Sequence, residues 1–286
     1  MEKLRNADGL TEEEFLAQYK PSDYERPSVT VDMVVLAMSK SLDRLKILLI
    51  KRKNHPYIGQ WALPGGFMNP NESGHQAAQR ELFEETGIKN VYLEQFYIMT
   101  QPNRDPRMWV MSIDYLALIR ECDIVAGDDA SEALWFDISL YDNRMILYND
   151  EHNIRMEYKL KKKVFKNGVV KTVGYIPVLD NSDVIKNGIP VPNETALAFD
   201  HAESILEGML LIRDKIEHSD IAFSLVPKEF TMPDLQSVYE NILGRALYKT
   251  NFKSKLVGKI EQLDKKGVSI TGGKRSTLYR YRGDIL

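Results

Sequence analysis

The sequence predicts an α+β protein in two parts, and three observations carry that prediction. β-prone runs surround one carboxylate-bearing helix between residues 29 and 138. A helix, a turn, a second helix and a hairpin follow one another from 230 to 281. Charge divides at the same place: from 226 onward there are twelve Lys/Arg against six Asp/Glu, which leaves 26 against 35 before it. A body of net −9 joined to a tail of net +6 suggests that the tail meets a polyanion, although lysines serving solubility would give the same balance.

Composition sets the class. The chain of 286 residues is long enough for two domains, and 43% hydrophobic with 28% charged residues is ordinary for a globular protein. The single cysteine, Cys122, excludes an internal disulfide framework and a thiolate metal cluster. The start, MEKLRNADG, has no apolar core and is not expected to be a signal peptide. No apolar run approaches the roughly 18 residues that span a bilayer. Cytoplasm is the expected compartment, with no membrane partner.

In chain order, Thr11 and Glu14 have capping-box spacing and open a short helix within a lead-in of 1–28. Runs 29–38 and 45–51 are β-rich. WALPGGF at 61–67 is an apolar run broken by a Pro-Gly-Gly turn, where backbone can approach a ligand closely. Residues 73–86 contain good helix formers and no proline, and Gly87 stands where a C-cap belongs. Strand-like runs return at 91–100, 108–119 and 133–138.

The region 145–192 is less regular. Segments 156–165 and 169–178 meet at Asn167-Gly168, a two-residue hairpin signal, and Lys159, Lys161, Lys162, Lys163, Lys166 and Lys171 make it basic. It is read as an inserted hairpin with a solvated lysine face, the alternative being a substrate lid or nucleic-acid contact. Helical spacing of Ile205, Met209 and Ile212 then predicts a linking helix over 199–216, within a segment 193–225. His201 is expected to make a structural hydrogen bond; ligand contact is the other possibility. In the tail, Pro233 and Gly244 frame a helix at 234–243. A second helix is expected over 250–266, with Phe252, Leu256, Ile260 and Leu263 as its apolar stripe. Residues 268–270 and 278–281 are expected to form a hairpin tipped by Lys274 and Arg275.

The most specific signal is GFMNPNESGHQAAQRELFEETGI at 66–88. Glu81, Glu84 and Glu85 fall at i, i+3 and i+4, which on a helix turning about 100° per residue places three carboxylates in one narrow arc. Such charges repel each other in a plain surface helix, whereas Mg²⁺ takes carboxylate oxygens and usually keeps waters and substrate phosphates as its other ligands. The string resembles the Nudix box, G-x5-E-x7-R-E-U-x-E-E-x-G-U, at Gly66, Glu72, Arg80, Glu81, Leu82, Glu84, Glu85, Gly87 and Ile88. That resemblance implies a Nudix α/β/α sandwich over 29–144 and hydrolysis of a nucleoside diphosphate linked to another group. It implies Glu81, Glu84, Glu85 and Gly66 as the site of Mg²⁺ (or Mn²⁺), Arg80 as their orienting salt-bridge partner, and Glu72 as support for the loop–helix junction. Glu85 or the downstream Glu132 is the expected proton acceptor.

The order of elements in 226–286 resembles a winged helix, whose second helix enters the major groove while its wing touches backbone. The expected DNA contacts are Thr250, Asn251, Lys253 and Lys255 on the helix, with Lys274 and Arg275 on the wing. A small helical docking or dimerisation domain is the alternative. The combination of box, Phe199-Asp200-His201-Ala202 and tail resembles the Nudix-related transcriptional regulators of NAD metabolism. PNRDPR at 102–107 is similar to ADP-ribose pyrophosphatases. From this resemblance, Arg104, Asp105, Arg107, Gly65 and Phe67 are the expected contacts to an ADP-ribose-like nucleotide, and a homodimer is expected. Solvated arginines in a surface turn are the other account of Arg104 and Arg107. Many such regulators have a degraded box and no hydrolysis; here the box is whole. Two functions follow: a Mg²⁺-dependent ADP-ribose-type hydrolase, and a nucleotide-responsive DNA-binding regulator.

Overall fold

A computed structural model describes residues 4–20, 24–89, 91–124, 130–141, 144–164, 170–177, 185–186, 189–190 and 196–283, with backbone alone between 160 and 190. The strands are β1 (Ser28–Met38), β2 (Leu45–Arg52), β3 (Trp61–Ala62), β4 (Gly65–Phe67), β5 (Tyr92–Met99), β6 (Val110–Arg120), β7 (Ala130–Tyr141), β8 (Arg144–Asn149), β9 (Ile154–Val164), β10 (Val170–Pro177), β11 (Ile185–Lys186), β12 (Ile189–Pro190), β13 (Glu229–Thr231), β14 (Ile260–Val268) and β15 (Arg275–Tyr281). The helices are α1 (Glu12–Gln18), α2 (Gly74–Thr86), α3 (His201–His218), α4 (Met232–Leu243) and α5 (Lys249–Lys255), with a 3₁₀ turn at Ile221–Leu225.

The large sheet runs β10-β9-β8-β7-β2-β1-β6-β5, with β3 added to β2 and β4 to β1. β1 is apolar along almost its whole length because both of its faces are covered. Val31, Met33, Val35 and Ala37 meet Ala77, Ala78 and Leu82 of α2. Val34, Leu36 and Met38 belong to a cluster with Ile205, Met209 and Ile212 of α3. Each buried aliphatic side chain of this kind contributes about 1.5–3 kcal/mol, so α2 and α3 are fixed mainly by burial. The second cluster continues without a break into Phe230, Leu235, Val238 and Phe252 of the C-terminal part. Ser237 Oγ also donates to the Leu42 carbonyl at 2.6 Å.

Local signals held where they were strongest. Thr11 and Glu14 make the expected capping box on α1, and Ser73 with Gln76 makes another on α2. Gly87 ends α2 at φ 73°, a left-handed conformation that a side chain would strain. β9 and β10 pair antiparallel; Asn167-Gly168, the expected turn, lies outside the described residues. The sheet does not stop at 144, because β8 pairs with β7 and β9 with β8.

The C-terminal part carries one correction. The second helix stops at Lys255 and does not extend to 266, and Ile260 and Leu263 lie in β14, which pairs with β15. Gly258 has φ 84°, which breaks a right-handed helix, and pairing with β15 then satisfies the following backbone. The hairpin strand accordingly ends at Val268 instead of starting there, and Ser269 N–H closes the turn on the Lys274 carbonyl at 3.0 Å. The three-stranded sheet, ordered β13-β15-β14, with α4 and α5 is a winged-helix arrangement.

Asp234 ties this unit together. Its Oδ2 accepts from Thr231 N at 3.1 Å and Thr231 Oγ1 at 2.6 Å, while Oδ1 accepts from Ser269 Oγ at 2.8 Å and Thr271 N at 3.1 Å. Asp234→Ala removes the carboxylate half of the α4 capping box and leaves buried donors without acceptors. We expect a destabilisation on the order of 2–4 kcal/mol, read by chemical denaturation and by faster amide exchange in 229–281 than in β1. Among the described residues, no helix is long and apolar enough to cross a membrane.

Candidate active site

One cleft of about 630 Å³ opens where β1, β2, β4 and α2 meet the 104–107 turn and the start of α3. It gathers Gly65, Gly66, Phe67, Glu81, Glu84, Glu85, Arg104, Asp105 and Arg107. Glu132 is not brought there: on β7, it lies 3.6 Å from His152 Nε2 and 3.9 Å from Lys51 Nζ.

Arg80 organises the acidic helix. It donates to both oxygens of Glu72 at 2.6 and 3.0 Å, to Glu81 at 2.7 Å, to Glu84 at 3.1 Å and to the Phe67 carbonyl at 3.0 Å. The guanidinium holds the Glu72 carboxyl down at about 2. Burial pushes Glu81 up, against the opposing pull of Arg80. Glu84 is the exposed member, with 55% side-chain exposure. Glu85 is buried and accepts the Gly65 N–H at 2.8 Å. Among the described residues, no three acidic, His or Cys side chains converge on one point. The donor set nevertheless fits a hard cation, since three carboxylates from one helix border the cleft beside a glycine backbone.

Gly66 leaves room for the Glu81 carboxylate. A Cβ there would lie 2.3 Å from Glu81 Oε1. Gly66→Ala therefore pushes the Glu81 carboxylate out of place, and we expect a loss of at least about tenfold in divalent-ion affinity, measured by isothermal titration, with the fold retained.

The turn after β5 supplies the cationic wall. Arg104 is almost fully buried and grips Asp200 with two bonds of 2.8 and 2.7 Å; Asp32 lies 3.8 Å away. Arg107 pairs with buried Asp105 at 2.7 Å and lies 5.3 Å from the Phe67 ring centre. The alternative of two solvated surface arginines therefore fails for Arg104.

Several cleft residues had weak or no sequence signals. Asp32 is the single charged residue in the apolar run of β1, a signal that was available. Phe199 also lines the cleft, and Asp200 beside it holds Arg104; both belong to the Phe199-Asp200-His201-Ala202 string. Arg52 was hidden among neighbouring basic residues; it lies 4.9 Å from the Phe199 ring, and burial followed by the like charge of Arg107 lowers its pKa. Phe199 has φ 52°, and its ring meets that of Tyr57, itself at φ 61°, with centres 4.7 Å apart. Non-glycine residues in this region typically cost about 1–3 kcal/mol each, and they cluster at ligand sites. His201 does make a structural hydrogen bond, accepting the Leu63 N–H at Nδ1 over 2.9 Å, and it also lines the cleft.

On the C-terminal unit, Thr250, Asn251, Lys253 and Lys255 are exposed on α5, and Lys274 and Arg275 are exposed at the wing.

Comparison with known proteins agrees with both halves. Residues 26–154 match the NUDIX domain, and residues 222–281 match the NrtR DNA-binding winged helix domain. The chain resembles a MutT/nudix family protein from Enterococcus faecalis in crystal structure, at TM-score 0.72 and 32% identity over 96% of this chain and 94% of that one. Shewanella oneidensis NrtR complexed with a 27mer DNA shares the fold, at TM-score 0.58 and 24% identity over 89% of this chain and 93% of that one. These matches define the class: a Nudix domain followed by a winged-helix domain. The ADPR responsive transcriptional repressor NtrR of Acinetobacter baylyi is 30% identical over 275 residues, 95% of this chain and 88% of that protein. An ADP-ribose pyrophosphatase of Methanocaldococcus jannaschii is 40% identical over 116 residues, 41% of this chain and 65% of its own. The chain belongs to the Nudix family, in its NrtR-type branch.

Proposed function

We propose that this protein hydrolyses the diphosphate of ADP-ribose or a related nucleoside diphosphate derivative with Mg²⁺ or Mn²⁺, and that its C-terminal unit engages duplex DNA. The observation that carries the hydrolase is the meeting of Glu81, Glu84 and Glu85 with Arg104 and Arg107 around one cleft. Glu81, Glu84 and Glu85, with the Gly66 backbone, would hold the cation. When bound, a divalent cation supplies Lewis-acid stabilisation of diphosphate oxygens and makes water more acidic. The chain's own groups do the rest. Arg107, Arg104 and Arg52 give the opposite wall positive charge for phosphate oxygens, and planar guanidinium suits that geometry. Phe67 and Phe199 provide aromatic surface beside them. Of the two glutamates considered as proton acceptor, Glu85 borders the cleft and Glu132 does not, which favours Glu85. Incubation with a mixed nucleotide pool and Mg²⁺, followed by identification of what is retained and what is cut, tests this. Failure to cleave any nucleoside diphosphate derivative would remove the hydrolase.

A second reading, an ADP-ribose-sensing regulator with little turnover, is favoured by α3. Its first residue follows Asp200, the partner of Arg104 in the cleft. Farther along, Arg213 donates to the Ile242 carbonyl of α4 at 2.9 Å. Nucleotide bound at Arg104 is thus one helix away from the winged helix, and slow hydrolysis would reset such a sensor. We place this protein in the cytoplasm as a homodimer. Binding to duplex DNA is expected to weaken steeply with salt, and neutralising Lys253, Lys255, Lys274 or Arg275 is expected to lower the log–log salt slope by about one each. Fluorescence anisotropy over a salt series reads this. A full chain indifferent to DNA at low salt would exclude the regulator.

A further inference from the structure

Behind the arginine wall lies a buried polar chain whose direction can be worked out by counting protons. Asp32 on β1 and Asp114 on β6 are register partners across parallel strands. Ser112 Oγ is hydrogen-bonded to both, to Asp32 Oδ2 and to Asp114 Oδ1, the latter at 3.0 Å. A hydroxyl has one proton to donate. If both carboxyls were ionised, one of these contacts would set lone pair against lone pair, so one carboxyl must be an acid that donates to Ser112. Asp114 is the better candidate. It is completely buried, whereas Asp32 borders the cleft with the Arg104 guanidinium 3.8 Å away. Its other oxygen, Oδ2, faces Ser204 Oγ of α3, and no basic side chain bonds it. Burial, then the neighbouring Asp32 charge, push Asp114 well above the usual carboxylate range. The chain therefore runs from the Asp114 acid through Ser112 to an ionised Asp32.

His201 fixes the other side. Its Nδ1 accepts the Leu63 N–H, so the ring proton of the neutral imidazole is on Nε2. Burial lowers the histidine pKa and keeps the ring neutral. That Nε2–H lies 3.8 Å from Asp32 Oδ1, too far for a direct hydrogen bond. An acceptor and a donor thus stand side by side with a gap between them, on residues that both line the cleft. A phosphate oxygen is repelled by Asp32, and a carbonyl has nothing to donate to it. A hydroxyl satisfies both, donating to Asp32 Oδ1 and accepting from His201 Nε2.

We infer that Asp32 and His201 form a hydroxyl-reading subsite that selects a sugar hydroxyl of the bound nucleotide, with Ser112 and Asp114 as positioning residues behind Asp32. This rests on the cleft being a nucleotide site and assigns the chemistry of one part of it.

The test uses the full-length protein without divalent ions, so that affinity is read apart from turnover. ADP-ribose is compared with analogues in which each sugar hydroxyl is replaced in turn by hydrogen. One analogue is expected to bind wild type about 10- to 100-fold more weakly, the range for leaving a buried polar group unsatisfied. In Asp32→Asn that ratio is expected to fall toward unity. Infrared spectra at pH 7 supply an independent readout: wild type is expected to show a buried carboxylic-acid carbonyl band that vanishes in Asp114→Asn. Equal binding of ADP-ribose and every analogue by wild type would overturn the subsite alone, as would full discrimination by Asp32→Asn or the absence of the acid band. Wild type that fails to bind ADP-ribose at all would end the nucleotide proposal, and this inference with it.

Discussion

Glu84→Gln is expected to lower turnover of ADP-ribose on the order of 10²–10³-fold, the range seen when one preorganised electrostatic group is removed from an active site. Glutamine keeps the length of the side chain and an oxygen that accepts from Arg80, but it loses the charge. Glu84 is the most exposed of the three glutamates, with 55% side-chain exposure, so the fold has little stake in it. Exposed substitutions of this kind usually shift stability by less than about 0.5 kcal/mol. The loss should therefore appear in kcat at saturating nucleotide, with an unchanged unfolding midpoint. Equal turnover by wild type and Glu84→Gln would remove this carboxylate from the chemistry. A matched fall in stability would make its role structural.

Arg104→Ala is expected to behave in the opposite way, damaging fold and binding together. Removing one member of a buried ion pair typically costs about 3–5 kcal/mol, because the remaining charge has no partner. Here the figure is a ceiling, since Asp200 retains 20% side-chain exposure. Arg104→Lys should recover only part of the loss, because an ammonium cannot reproduce the two-point grip on Asp200. Arg107→Ala is the informative contrast. Arg107 is 37% exposed, and its buried partner Asp105 keeps the backbone N–H of residue 107 at 2.9 Å, so its removal should cost less stability than Arg104→Ala while still weakening nucleotide binding. Urea unfolding beside nucleotide titration for the three variants separates these effects. Equal stability losses for Arg104→Ala and Arg107→Ala would contradict the structural distinction.

What could be read in the sequence follows from how local each feature is. The glutamate cluster was legible because its chemistry is built on one helix, where i, i+3 and i+4 spacing alone brings the carboxylates to one side. The Asp32–Ser112–Asp114 chain was not, because it exists only where β1 and β6 lie in register and His201 arrives from a distant helix. Arg104 was legible as a binding candidate, but its grip on Asp200 spans 96 residues and left no local pattern. The second tail helix is shorter than its periodicity predicts for a different reason. Phe252, Leu256, Ile260 and Leu263 satisfy a helical period, yet Gly258 at φ 84° and pairing of Ile260 with Tyr281 turn the last two into a strand. A short-range period could not weigh a partner strand lying later in the chain.

The most direct test of the central claim is phosphorus NMR of wild-type protein incubated with ADP-ribose, once with Mg²⁺ and once with Mn²⁺. Glutamates and arginines facing one another across the cleft predict disappearance of the diphosphate signals and appearance of AMP and ribose 5-phosphate, dependent on the added ion. Intact ADP-ribose under both conditions, with protein that is folded and binds the nucleotide, would contradict hydrolysis at this site.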